Sequence, residues 1–170
     1  MSARGTAGPA TSRTYKTRPP AGGEGGRVTK NDETPRPATK IAVLLRDDLP
    51  AWQRLNATAF LVSGIAAACG ELIGEPYEDA DGTEYLPMFG QPVLVFEGGK
   101  DLLTAAHARA VDRGLGMAVF TSELFATGND ADNRAAVRAV PRAGLDLVGI
   151  AVHGPRNSVD KALKGARMHP

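Results

Sequence analysis

Residues 41–69 read IAVLLRDDLPAWQRLNATAFLVSGIAAAC, and this stretch decides the fold class. Ile41–Leu45 is a continuous apolar run of strand length, which predicts a central strand buried on both faces. Arg46–Pro50 is its polar exit. Trp52, Leu55, Ala59, Val62, Ala66 and Cys69 then recur at helical spacing, and Gly70 follows where a C-terminal cap belongs. Phe60, Leu61 and Ile65 widen the apolar face, so the helix over about 50–69 is expected to be largely buried. Cys69 on that face is expected to be buried and inert.

The alternation continues downstream. Asp81-Gly82 is a turn pair flanked by Tyr77 and Tyr85-Leu86, which predicts a short hairpin or irregular excursion over 75–92. Pro76, Pro87 and Pro92 argue against long strands there. Pro92–Glu97 is the second strand, broken by Gly98-Gly99, and Asp101 can cap a helix running to about Arg113. Gly116–Thr121 is the third strand. Asn129–Val140 is a short polar helix stopped by Pro141, Leu145–Val152 is the fourth strand, and Ser158 caps a last helix ending near Gly165. Strands alternating with helices predict an α/β layer fold with a mainly parallel sheet.

Charge is unevenly spread over the 170 residues. Residues 1–40 hold 8 Lys+Arg against 3 Asp+Glu, whereas 41–170 hold 12 against 16. The first 40 residues also carry 6 Gly and 5 Pro. Such a segment buries too little to offset roughly 1–2 kcal/mol of backbone entropy per residue. Residues 1–39 are therefore expected to be a disordered basic tail: a solvated extension, the product of a start codon assigned too far upstream, or a weak anion- or nucleic-acid-binding arm. Residues 40–170 are expected to form one domain. The single cysteine excludes an intramolecular disulfide, and no Cys/His zinc spacing exists. The apolar run Ala57–Cys69 is too short for a bilayer core of about 30 Å, and no signal-like apolar region follows the basic residues. A cytoplasmic protein without membrane contact is expected. No phosphate-binding glycine loop appears, and no metal or cofactor is expected.

In sheets of this kind, sites gather beyond the carboxyl ends of the strands. Those ends offer Asp47, Asp48, Gln53 and Asn56 after the first strand, Thr121, Ser122 and Glu123 after the third, and His153 after the fourth. Each has two readings. Asp47 and Asp48 can position a nucleophilic water, or cap the following helix. His153 can be a general base or a surface hydrogen-bonding residue. Thr121 and Ser122 can be nucleophiles, although no Gly-x-Ser-x-Gly elbow surrounds Ser122. Asp79, Asp81 and Gly82 suggest a turn rather than a calcium loop, since the other ligand positions are missing.

Four blocks carry a family resemblance: KIAVLLRDDLPAWQRLNATAFLVSGIAAACG at 40–70, then FGQPVLVFEGG and FTSELFATGNDADNR, and DLVGIAVHGPRNSVDKALKGARMHP at the end. Together they resemble the family called domain of unknown function 2000, over nearly all of 40–170. That family is similar in fold to type II peptidyl-tRNA hydrolases. The resemblance implies a three-layer α/β/α domain with a mixed sheet of about four strands, and a homodimer. Arg46, Asp48 and Leu49 match the Arg-x-Asp-Leu of those enzymes. Their Gly-Lys-Gly-Lys stretch falls on Trp52-Gln53-Arg54-Leu55, their helical glutamine on Ala59, and the aspartate after the third strand at about Thr121. Their Gly-Ile-Gly-Pro falls roughly on Ala151–Pro155, and an Asp-Lys falls on Asp160-Lys161. The scaffold positions are retained and both lysines are absent. An acidic body without them is a poor surface for tRNA phosphates.

Two functions follow. One is a hydrolase-like or acyl-transfer enzyme on an ester or amide of a small or nucleotide-linked ligand. Asp48, Glu123 and Thr121 would be its catalytic residues, and Asp47, Gln53, Asn56, Ser122 and His153 would bind substrate. The other is a non-catalytic small-ligand-binding or dimeric interaction module, betrayed by an apolar pocket or patch.

Overall fold

The structure, a computed structural model, describes residues 36–169. The expectation for the basic tail lies outside them up to residue 35. The first strand, β1 (Thr39–Arg46), is central, and α1 (Ala51–Ala68) follows it. A small hairpin of β2 (Tyr77–Glu78) and β3 (Glu84–Tyr85) precedes β4 (Val93–Gly98) and α2 (Lys100–Asp112). Then come β5 (Gly116–Thr121), α3 (Asp130–Arg138), β6 (Leu147–Pro155), α4 (Arg156–Ala162) and β7 (Arg167–Met168). Gly82 closes the hairpin turn at φ +81°. The Asp79 carboxylate accepts from the backbone N–H of Asp81 and Thr83 and from the Tyr85 hydroxyl, the work of a turn residue.

The sheet has five strands in the order β5-β6-β1-β4-β7. Only β1 and β4 pair in parallel; β6 runs antiparallel to both β1 and β5, and β7 antiparallel to β4. This corrects the mainly parallel sheet expected from the strand–helix alternation; the sheet is mixed, as the resemblance implied, with five strands rather than about four. The reason lies in α3, which buries no residue. A helix that polar cannot pack on the sheet as a crossover. The chain instead returns at the edge it left: the Ser122 N–H bonds the Asp146 carbonyl at 2.9 Å, and β6 runs back down. β7 is only two residues long, too short for a periodicity signal.

Residues of β1 alternate between two apolar clusters. Ala42 and Leu44 pack with Leu103, Ala106, Val159 and Ala162 of α2 and α4. Ile41, Val43 and Leu45 pack with Ala57, Leu61 and Ile65 of α1. Helices thus cover both faces of a mixed α/β sheet. The expected stripe of α1 is also corrected. Its sheet-facing residues are Ala57, Leu61 and Ile65, spaced by four, while Trp52, Leu55 and Phe60 stay exposed at 60%, 73% and 55%. Cys69 is half-buried at the helix end.

A bulge interrupts the β5–β6 ladder. Phe120 opposes Gly149 but Thr121 opposes Leu147, leaving Val148 unmatched. Val148 consequently joins the α1-side cluster, next to Gly149. A Cβ on Gly149 would stand 2.9 Å from both Leu45 Cδ2 and Leu61 Cδ1 and 3.2 Å from the Leu44 carbonyl, so only glycine fits without displacement.

Candidate functional site

The carboxyl ends of β1, β4 and β5 meet the amino end of β6 along one edge of the sheet. Asp146, just before β6, is the hub of this rim. Its carboxylate takes Lys100 Nζ at 2.7 Å and Arg46 Nη1 at 3.1 Å. Hydrogen bonds from Lys100 and then from the Ser122 side chain hold its pKa below the usual carboxylate value, against a smaller opposing effect of burial. Arg46 Nε also donates to Asp48 at 2.7 Å. Asp146 is therefore a fixed anion.

A second network surrounds Arg54. Its guanidinium donates to the Leu49 carbonyl at 2.8 Å, the Asp47 carbonyl at 2.6 Å and Glu97 at 3.1 Å. It also meets His169 Nε2 at 3.1 Å. Arg167 bridges Glu97 at 3.3 Å and Asp47 at 3.5 Å. The planar fork of arginine serves these divergent acceptors, which a lysine at this position could not. The network ties the start of α1 to the ends of β1 and β4.

The structure sorts the sequence-predicted residues. Asp47, Asp48, Ser122 and Glu123 share the rim, with Asp47 and Asp48 in ion pairs and Glu123 exposed. Thr121 is 1% exposed, and its buried hydroxyl has no protein partner. Gln53 is half-buried in the first turn of α1. His153 is not on this rim. It pairs with Ile41 and Gly116, at the opposite edge, because β6 is antiparallel. There it contacts the Cys69 sulfur at 3.5 Å through Nδ1. Residue-type reasoning missed Lys100 and Asp146, which match no catalytic or ligand-binding motif and are distant in sequence. The polarity of the 129–140 helix was the available signal that the chain turns back at this edge.

Beside the rim, between α1 and α3, lies an aromatic groove. It comprises two adjoining cavities of about 410 and 430 Å³. Both are lined by Phe60, Phe120, Leu124 and Asn133. Trp52 stands edge-on to Phe125 at 5.4 Å, Phe125 lies 5.0 Å from Phe120, and Phe120 lies 5.9 Å from Phe60. Asn56, a predicted substrate-binding residue, lines the larger cavity. Asn133 is oriented by the Thr127 hydroxyl, which donates to its side-chain oxygen. The groove exists because α1 is apolar on more sides than the sheet can cover. The 3-10 turn at Ser122–Phe125 then brings Leu124 and Phe125 against the surplus.

No curated protein matches the chain. Among solved structures, a protein of unknown function from Agrobacterium tumefaciens strain C58 superposes with a TM-score of 0.77 at 45% identity. The match covers 78% of this chain and 98% of that one. The sequence profile of the family Protein of unknown function (DUF2000) matches residues 39–170. The chain belongs to the DUF2000 family.

Proposed function

We propose that this domain is a non-catalytic binding module. Its ligand is a small molecule with a flat apolar part and a hydrogen-bonding edge, seated in the groove between α1 and α3. The observation that carries this reading is the groove's lining. Four aromatic rings form a chain of contacts within 5.0–5.9 Å, flanked by the amides of Asn56 and Asn133. Apolar walls with a few convergent polar groups are the usual composition of small-molecule sites. The 60% exposure of Trp52 matters too, since an indole this large is normally covered.

The hydrolase reading draws on the same scaffold, with helices on both faces of a mixed sheet as in type II peptidyl-tRNA hydrolases. Its candidate groups are poorly placed for chemistry. Thr121 is beneath the surface, Asp48 is held by Arg46, and the one perturbed rim carboxylate is pushed down rather than up. A general base working near neutral pH needs the opposite shift.

Trp52 is the only tryptophan, so its fluorescence reports on the groove directly. Titration with nucleobases, nucleosides and aromatic amino acids is expected to give a saturable change with at least one class, which Phe125→Ala abolishes. A flat response to all of them, with no rise in melting temperature, refutes the binding module. Cleavage of peptidyl-tRNA that is lost in Asp48→Asn would establish the hydrolase instead.

A further inference from the structure

At the opposite edge of the sheet lies a separate cavity of about 240 Å³, where β1 and β4 begin and β6 ends. Three cationic side chains, Arg36, Lys40 and Arg156, are in its lining. The neutral part of the wall includes Pro92, Leu94 and Gln91. Asp160 pairs with Lys40, whose side chain is only 11% exposed. Arg156 is positioned rather than free-swinging: its Nη2 donates to the Pro37 carbonyl at 3.3 Å, and its backbone N–H to the Ala38 carbonyl at 3.1 Å. Arg36 makes no ion pair among the described residues.

We infer that this cavity is a binding site for a phosphate group, free or as the terminal monoester of a small molecule. Three cations against one carboxylate leave an excess of two positive charges at one small site. A dianion neutralises that excess, whereas a monocarboxylate leaves half of it. Guanidinium forks match the oxygen pairs of a phosphate. The cavity's size suits a compact head group and not a drug-sized ligand, which takes roughly 300 Å³ or more. The positive charge is local, because residues 36–170, which include all three cations, carry 14 Lys+Arg against 16 Asp+Glu. The site is independent of the aromatic groove.

The test is titration of the full chain with inorganic phosphate and with glycerol 3-phosphate at constant ionic strength, read by calorimetry and by the shift in melting temperature. Saturable binding of either ligand is expected. Arg156→Gln and, separately, Arg36→Gln should each weaken it about tenfold or more, the loss of one charge-assisted contact. Arg36 is exposed, so its variant keeps the test valid if Arg156→Gln unfolds. Lys100→Gln, at the other edge of the sheet, should bind as wild type. Binding of glycerol 3-phosphate alone assigns a phosphomonoester, and equal binding of both assigns the phosphate group itself. No binding of either, or binding lost in Lys100→Gln and kept in Arg36→Gln and Arg156→Gln, overturns the site.

Discussion

Replacing Gly149 by alanine tests the packing around the β6 bulge. The backbone there is not left-handed, so alanine meets no conformational barrier and the cost is steric. The added methyl would lie 2.9 Å from two leucine methyls and 3.2 Å from the Leu44 carbonyl oxygen. The leucine tips can give way; the carbonyl, bonded within the central sheet, cannot. Overpacking of this kind costs about 1–3 kcal/mol. The reduced entropy of the unfolded chain returns about 0.4–1 kcal/mol. The net loss is about 1–2 kcal/mol, a fall in Tm of roughly 4–8 °C for a domain of this size. Urea and thermal unfolding by circular dichroism measure it. Gly70→Ala is the control, since nothing lies within 4 Å of its Cβ position. Leu61→Val in the Gly149→Ala background should cost less than in the wild type, a coupling expected between touching residues. Gly149→Ala as stable as the control, or strictly additive with Leu61→Val, would refute the reasoning.

Three further outcomes are expected. Arg54→Met removes the donor to two backbone carbonyls and to Glu97, whose side chain is 14% exposed. It should cost about 2–3 kcal/mol in urea unfolding, with Arg54→Lys restoring less than half. Asp146→Asn should cost about 1 kcal/mol, discounted for a side chain that is 32% exposed. Because Asp146 is held below its ordinary value of 3.8, its contribution is present above that pH and is lost as pH falls further, so the variant should show a shallower acid limb. His107 is 7% exposed and its pKa is depressed below 6.5, first by burial and then by the Arg142 charge. The unfolded chain takes up a proton there more readily than the folded one. Stability should be complete above pH 6.5 and decline as pH falls below it, and His107→Gln should flatten that decline in a melting-temperature series.

The split between legible and illegible features follows particular residues. Ile41–Leu45 is apolar at every position, and a strand with no polar face can only be central; it is the middle strand of five. Gly98-Gly99 and Gly114 bound α2 at or within two residues of where the turn signals put its ends. For α1 the pattern was ambiguous for the same reason that makes it interesting. Apolar residues lie nearly all round it, so periodicity could not say that Ala57, Leu61 and Ile65 face the sheet while Trp52 and Phe60 face the groove. Asn56 was legible as a polar residue beyond the first strand, and it lines the groove. Lys100 and Asp146 were not, being neighbours only through the fold.

By itself, the sequence determined the order and type of the long elements and the identity of the central strand, because local hydrophobic pattern and turn chemistry act over a few residues. Strand direction is not a local property. Whether a strand after a short helix runs parallel or antiparallel depends on whether that helix can bury a face on the sheet, and α3 cannot. That one consequence sent His153 to the far edge, brought Asp146 onto the rim, and left the aromatic face of α1 open as a groove.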